Sequence, residues 1–172
     1  MTTPAAPERL GADPSGRTFF GISVSSLADW PGVLTLASRY FVCLVVLGAP
    51  PETNQEVTRW AGMALGQGLV YACVWGPGCE AVHDGIDWEL AALPDQERRS
   101  QVMTTWHDRD TLEEAANYFM VDAQPAPGYR PECSSWLVVE VARSGATLGA
   151  RRLIADRVTG ERNPAGRGCP KE

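Results

Sequence analysis

Cys79, Glu80, His83 and Asp84 crowd into the stretch VYACVWGPGCEAVHD, directly after an apolar run that stops at a Gly-Pro-Gly corner. A thiol, an imidazole and carboxylates are the groups that carry nucleophilic and acid–base chemistry. A Cys in the first turn of a helix meets free backbone N–H groups and the positive end of the helix dipole, which favours its thiolate. His107 and Asp108 end the next β-like segment. If the segments ending at Trp75 and Trp106 are neighbouring strands, His107 approaches Cys79. The pair would then be base and nucleophile, oriented by Asp108 or Asp84, with amides after Cys79 as oxyanion donors. His83 lies four residues after Cys79, on the same helical face. That spacing would also let Cys79 and His83 hold a metal, with Asp84, Asp87 or His107 completing the set.

Each residue also has a plainer reading. Cys79 packs behind the corner, His83 caps or packs at a helix start, and His107 to Asp110 form a solvated turn before a helix. Asp84, Asp87 and Glu89 form either a paired-carboxylate site or an exposed acidic face on a helix that Gly85 interrupts. Trp75 and Trp106, at strand ends, either stack on a flat ligand or belong to the core. The sequence has no C-x-x-C, no H-E-x-x-H and no G-x-S-x-G. Gly48-Ala49-Pro50-Pro51 has neither a dinucleotide fingerprint nor a phosphate-loop pattern. No metal or other cofactor is called for.

The elements that would position these groups follow from periodicity. The chain has 172 residues, 44% hydrophobic and 21% charged, which suits one folded domain. YFVCLVVL (40–47), LVYACVW (69–75) and SWLVVEV (135–141) are β-rich and almost wholly apolar, as in strands buried on both faces of a parallel sheet. RTFFGISV (17–24) reads as a first strand, at an edge of the sheet, and QVMTTW (101–106) as a further one. LADWPGVLTLASR (27–39) is either a short helix or a loop broken near Pro31.

Val57, Trp60, Ala61, Ala64 and Leu65 make one helical stripe behind a capping box of Thr53 and Glu56. Leu112, Ala115, Ala116, Phe119 and Met120 make another behind Thr111 and Glu114. A third helix starts near Glu80, and the segment after Ser144 fits either a helix or a returning strand. Residues 1–16 and 159–172 are rich in Pro, Gly and Ala and read as flexible tails around a domain at 17–158.

This alternation predicts an α/β fold: one three-layer domain around a mostly parallel sheet of four to six strands. Ligands of such folds bind beyond the carboxyl ends of the strands. The corners at Gly48–Pro50, Trp75–Glu80 and Trp106–Asp110 all fall there.

Net charge is −6 with no basic stripe, so nucleic acid is not an expected partner. No apolar run reaches transmembrane length and the first residues lack a signal-peptide pattern, so no membrane is expected and the cytoplasm is the expected location. Five cysteines, two of them (Cys43 and Cys73) inside apolar runs, suggest a reducing compartment without a disulfide framework.

Three segments, YFVCLVVLG, WGPGCEAVHDGID and TTWHDRDTLEEAANYF, resemble a small bacterial family of uncharacterised domains. The resemblance covers about residues 38–142. It implies a bacterial domain with Cys-Glu, His-Asp and Trp-His-Asp signatures and no assigned reaction. It also implies that Trp75, Cys79, Glu80, His83, Asp84, Asp87, Trp106, His107 and Asp108 belong to one place. Three functions follow as expectations: a binding or regulatory module that holds a small molecule or a protein on the rim, a Cys-His hydrolase or transferase, and a metal-binding domain.

Overall fold

In the computed structural model, which describes residues 6–143 and 146–160, three strands buried almost throughout form the centre of the sheet. They are β3 (Phe41–Leu47), β4 (Leu69–Trp75) and β6 (Ser135–Val141). Their near-continuous apolar runs demand cover on both faces, and helices supply it. β1 (Glu8–Ala12), β2 (Thr18–Val24) and β5 (Met103–His107) complete a six-stranded sheet in the order β1-β2-β6-β3-β4-β5. Every pairing is parallel except β1 with β2.

The helices are α1 (Asn54–Gly66), α2 (Cys79–Ala92), α3 (Gln96–Gln101), α4 (Leu112–Val121) and α5 (Ala150–Thr159). α1 packs on α2, while α4 packs on α5. The two groups lie on opposite faces, which makes the domain a three-layer α/β structure as the sequence predicts.

The apolar stripes are buried as their spacing requires. Val57, Trp60, Ala61, Ala64 and Leu65 of α1 and Ala115, Ala116 and Phe119 of α4 all sit in the core. Thr111 and Glu114 complete a reciprocal capping box. Thr53 makes only half of one. Its hydroxyl accepts from the Glu56 N–H, while the Glu56 carboxylate accepts instead from the N–H groups of Leu27 (2.9 Å) and Glu52 (3.1 Å).

Three expectations are corrected and two open readings are settled. Residues 8–12 lie inside the expected N-terminal tail but form β1, because β2 offers them an antiparallel ladder. β2 is therefore internal rather than an edge strand. Gly85 does not interrupt α2: its missing side chain lets α1 approach, and a Cβ there would lie 2.4 Å from Val57 Cγ1. The 27–39 segment is a single 3-10 turn, Leu27–Asp29, followed by loop. The segment after Ser144, left open between helix and strand, contains α5. The expected C-terminal tail, with Cys169, lies outside the described residues except at Thr159 and Gly160.

Candidate functional site

β3, β4 and β5 are parallel neighbours, so their carboxyl ends share one rim. Trp75 pairs with His107 across β4 and β5. The β4–α2 corner is tight: the Cys79 N–H donates to the Gly76 carbonyl (3.1 Å), and α2 begins at once. Beside it the Trp75 indole N–H donates to the Asp110 carbonyl (2.7 Å), which draws the β5–α4 turn against the end of β4. Between these two corners opens a cleft of about 460 Å³. Trp75, Cys79, Glu80, His107, Asp108 and Asp110 line it.

The alternation of β5 decides which side chains meet. Thr104 and Trp106 face α2: the Thr104 hydroxyl donates to Asp87 Oδ1 (2.8 Å), and the Trp106 and His83 rings lie 4.4 Å apart. His107 faces the other way, with its ring 4.8 Å from that of Tyr118 in α4. The two imidazoles therefore sit on opposite faces of the sheet. His83, Asp84, Asp87 and Trp106 form a second group beside the cleft, with His83 Nδ1 3.1 Å from Asp84 Oδ1 and Nε2 3.6 Å from Asp87 Oδ2. Among the described residues no cluster of three or more His, Cys, Asp or Glu side chains is placed to hold a metal. The set of Cys79, His83 and His107 fails because its histidines are divided by the sheet.

The expected dyad is also rearranged. His107 is 7% exposed, and both of its ring nitrogens are engaged: Nδ1 with Asp110 Oδ2 at 2.6 Å and Nε2 with Thr105 Oγ1 at 3.3 Å. Asp110, not Asp108 or Asp84, orients the ring. What His107 presents to the Cys79 thiol is its backbone N–H.

The thiol itself is 3% exposed. Burial pushes its pKa above the ordinary value, and the Asp108 charge pushes the same way. The N–H groups of His107 and Glu80 pull it down and are outweighed. The expectation of a favoured thiolate is thus reversed, because desolvation at this corner exceeds the stabilisation by amides.

Behind His107 runs a polar chain that sequence reasoning missed. The Thr105 hydroxyl bonds Cys73, and the hydroxyls of Tyr71 and Tyr118 lie 2.8 Å apart. Burial holds Cys73 at about 12. The available signal was parity: Tyr71 and Cys73 alternate along one strand, and Thr105 and His107 along its neighbour. Asp110 was findable as the carboxylate three residues after His107. Glu140 was missed too, although it is the lone acid in an apolar strand. It is fully buried, one carboxylate oxygen accepting the Arg151 N–H at the start of α5 (3.0 Å) and the other unpartnered among the described residues.

An α/β domain with a cleft at the carboxyl rim of a parallel sheet is a common scaffold for ligand sites. The family model described as Domain of unknown function (DUF7684) matches residues 22–157, and the chain belongs to that family. Among curated proteins no match is found. No helix among the described residues is long and apolar enough to cross a membrane.

Proposed function

We propose that the protein is a binding module whose ligand is a small molecule held in the cleft between the β4–α2 and β5–α4 corners. The carrying observation is the convergence of Trp75, Cys79, Glu80, His107 and Asp108 on one open cleft of about 460 Å³ at the strand ends. That volume lies in the range of small-molecule sites, roughly 300–1,000 Å³. Glu80, Asp108 and Asp110 place negative charge around it and no Lys or Arg among the described residues lines it, so a neutral or cationic ligand is favoured. The Trp75 ring supplies a flat apolar contact.

The same geometry speaks against the hydrolase reading. A thiol kept protonated by burial and an imidazole tethered on both nitrogens are poorly prepared for nucleophilic attack.

A thermal-shift screen of neutral and cationic metabolites against the wild type, Glu80→Trp and Cys79→Ser tests the proposal. Glu80 is exposed on the first turn of α2, so a Trp there blocks the cleft without disturbing the core. Compounds that stabilise the wild type and Cys79→Ser but not Glu80→Trp support the binding reading. A screen without hits, or hits indifferent to Glu80→Trp, overturns it. Hits that need the Cys79 sulfur return the thiol to a chemical role.

A further inference from the structure

β3 and β6 are parallel neighbours in the centre of the sheet, yet the chain leaves them in opposite directions. After β3 it enters α1, on the face shared with α2. After β6 it enters α5, on the face shared with α4. Such a divergence opens a crevice beyond the strand ends, the place where open α/β sheets bind ligands.

A cleft of about 490 Å³ lies there, two strands along the rim from the cleft of Cys79. Ala49, Pro50 and Pro51 give it apolar walls, over a buried floor of Leu27, Leu47 and Val141. Its charged lining is Glu52, Glu56 and Arg143. Glu56 is committed, since both of its oxygens accept backbone N–H groups. Arg143 is not. Among the described residues it pairs only with Glu52, Nη2 to Oε1 at 2.7 Å, and the two side chains are 64% and 68% exposed. An ion pair so exposed contributes little to stability and exchanges readily.

We infer that this switch-point cleft is a second binding site, for a small monocarboxylate with an apolar body, and that Arg143 exchanges Glu52 for the ligand's carboxylate. A guanidinium presents a fork of donors that matches a carboxylate in two parallel hydrogen bonds. The apolar body then rests against Ala49, Pro50 and Pro51, where burial is favourable. A dianion such as phosphate is a poorer fit, because the fixed Glu56 carboxylate repels it and the walls offer it nothing. The site shares no lining residue with the cleft of Cys79.

The test is calorimetric titration of the full chain with benzoate and hexanoate, against benzyl alcohol and hexanol as uncharged counterparts. Both carboxylates are expected to bind at least tenfold more tightly than the alcohols. Arg143→Gln is expected to lose that preference, and Glu52→Gln to tighten carboxylate binding several-fold by removing the competing anion. Both variants alter exposed side chains, so folding is retained, as circular dichroism would confirm. Glu80→Trp should leave the titration unchanged, which separates this site from the cleft of Cys79. The inference is overturned if the wild type binds neither carboxylate, if the alcohols bind equally well, if Arg143→Gln binds like the wild type, or if Glu52→Gln binds more weakly.

Discussion

Gly76 is the residue on which the rim depends most directly, and replacing it with Ala gives a quantitative test of the corner. Its φ is +103°, and a Cβ there would lie 2.2 Å from the Leu47 carbonyl oxygen. The left-handed conformation alone costs a residue with a Cβ about 1–2 kcal/mol. The contact adds to this. Leu47 ends β3 and pairs with Val141 of β6, directly after the Val46–Trp75 pair with β4, so its carbonyl cannot withdraw without disturbing the end of the sheet. Forcing extra volume into such a place costs roughly 1–3 kcal/mol.

A loss of about 3 kcal/mol lowers the melting temperature of a domain this size by about 6–12 °C. Gly16 is the matched control. Its φ is +89°, but nothing lies within 4 Å of a Cβ there. Gly16→Ala therefore carries only the conformational cost, and its melting temperature should fall by about 2–4 °C per kcal/mol of that cost. Thermal and urea unfolding followed by circular dichroism would measure both variants. If Gly76→Ala melts within 2 °C of Gly16→Ala, as an order-of-magnitude margin for the steric term, the close approach of the corner to β3 is wrong.

Two further outcomes follow from the buried thiols. A thiol of ordinary pKa, about 8.5, is roughly one-tenth thiolate at pH 7.5. Cys79 should react with iodoacetamide more slowly than that fraction allows, and Asp108→Asn should speed it by removing a charge that raises its pKa; a rate profile with an apparent pKa below the ordinary value would refute this. The fold also holds Cys73 and Cys133 protonated up to about 12. Above the unfolded value of about 8.5 the unfolded chain binds fewer protons, so stability is full below that pH and falls as pH rises toward 12, by at most about 1.4 kcal/mol per pH unit and thiol. Urea midpoints at pH 7, 8, 9 and 10 should therefore be level and then decline, with a shallower decline in Cys73→Val; level midpoints throughout would refute it.

The central strands were legible in the sequence because burial on both faces leaves an unbroken apolar run, as at 40–47, 69–75 and 135–141. The helices were legible through their stripes and caps. β1 was not, since Glu8, Arg9 and Gly11 give it no pattern and it owes its structure to pairing with β2. α3 was not either, because QERRSQ buries no residue and so carries no stripe.

The candidate site shows the same division. That Cys79 and His107 reach the same rim follows from two parallel neighbouring strands. Which face His107 occupies depends on the parity of β5. The strand MTTWH mixes polar and apolar residues on both faces, Met103, Thr105 and His107 on one and Thr104 and Trp106 on the other, so composition does not decide it. Position along a strand was readable, while direction across it required the fold.

The direction of His107 bears on what the rim can do. Asp110 holds the turn at two points: its carboxylate bonds the His107 ring, and its carbonyl accepts from the Trp75 indole. One residue thus ties β5 to the end of β4 and fixes the wall of the cleft. A histidine used in this way acts as a strut, and releasing a proton through it would break the tie that shapes the site. A fixed wall suits binding, because a site already in its bound shape spends less of the contact energy on ordering. The groups left without such duties at this cleft, the outer face of Trp75 and the carboxylates of Glu80 and Asp108, are those that would meet a ligand. The proposed role of the rim is therefore recognition, with the imidazole and the thiol as parts of the frame.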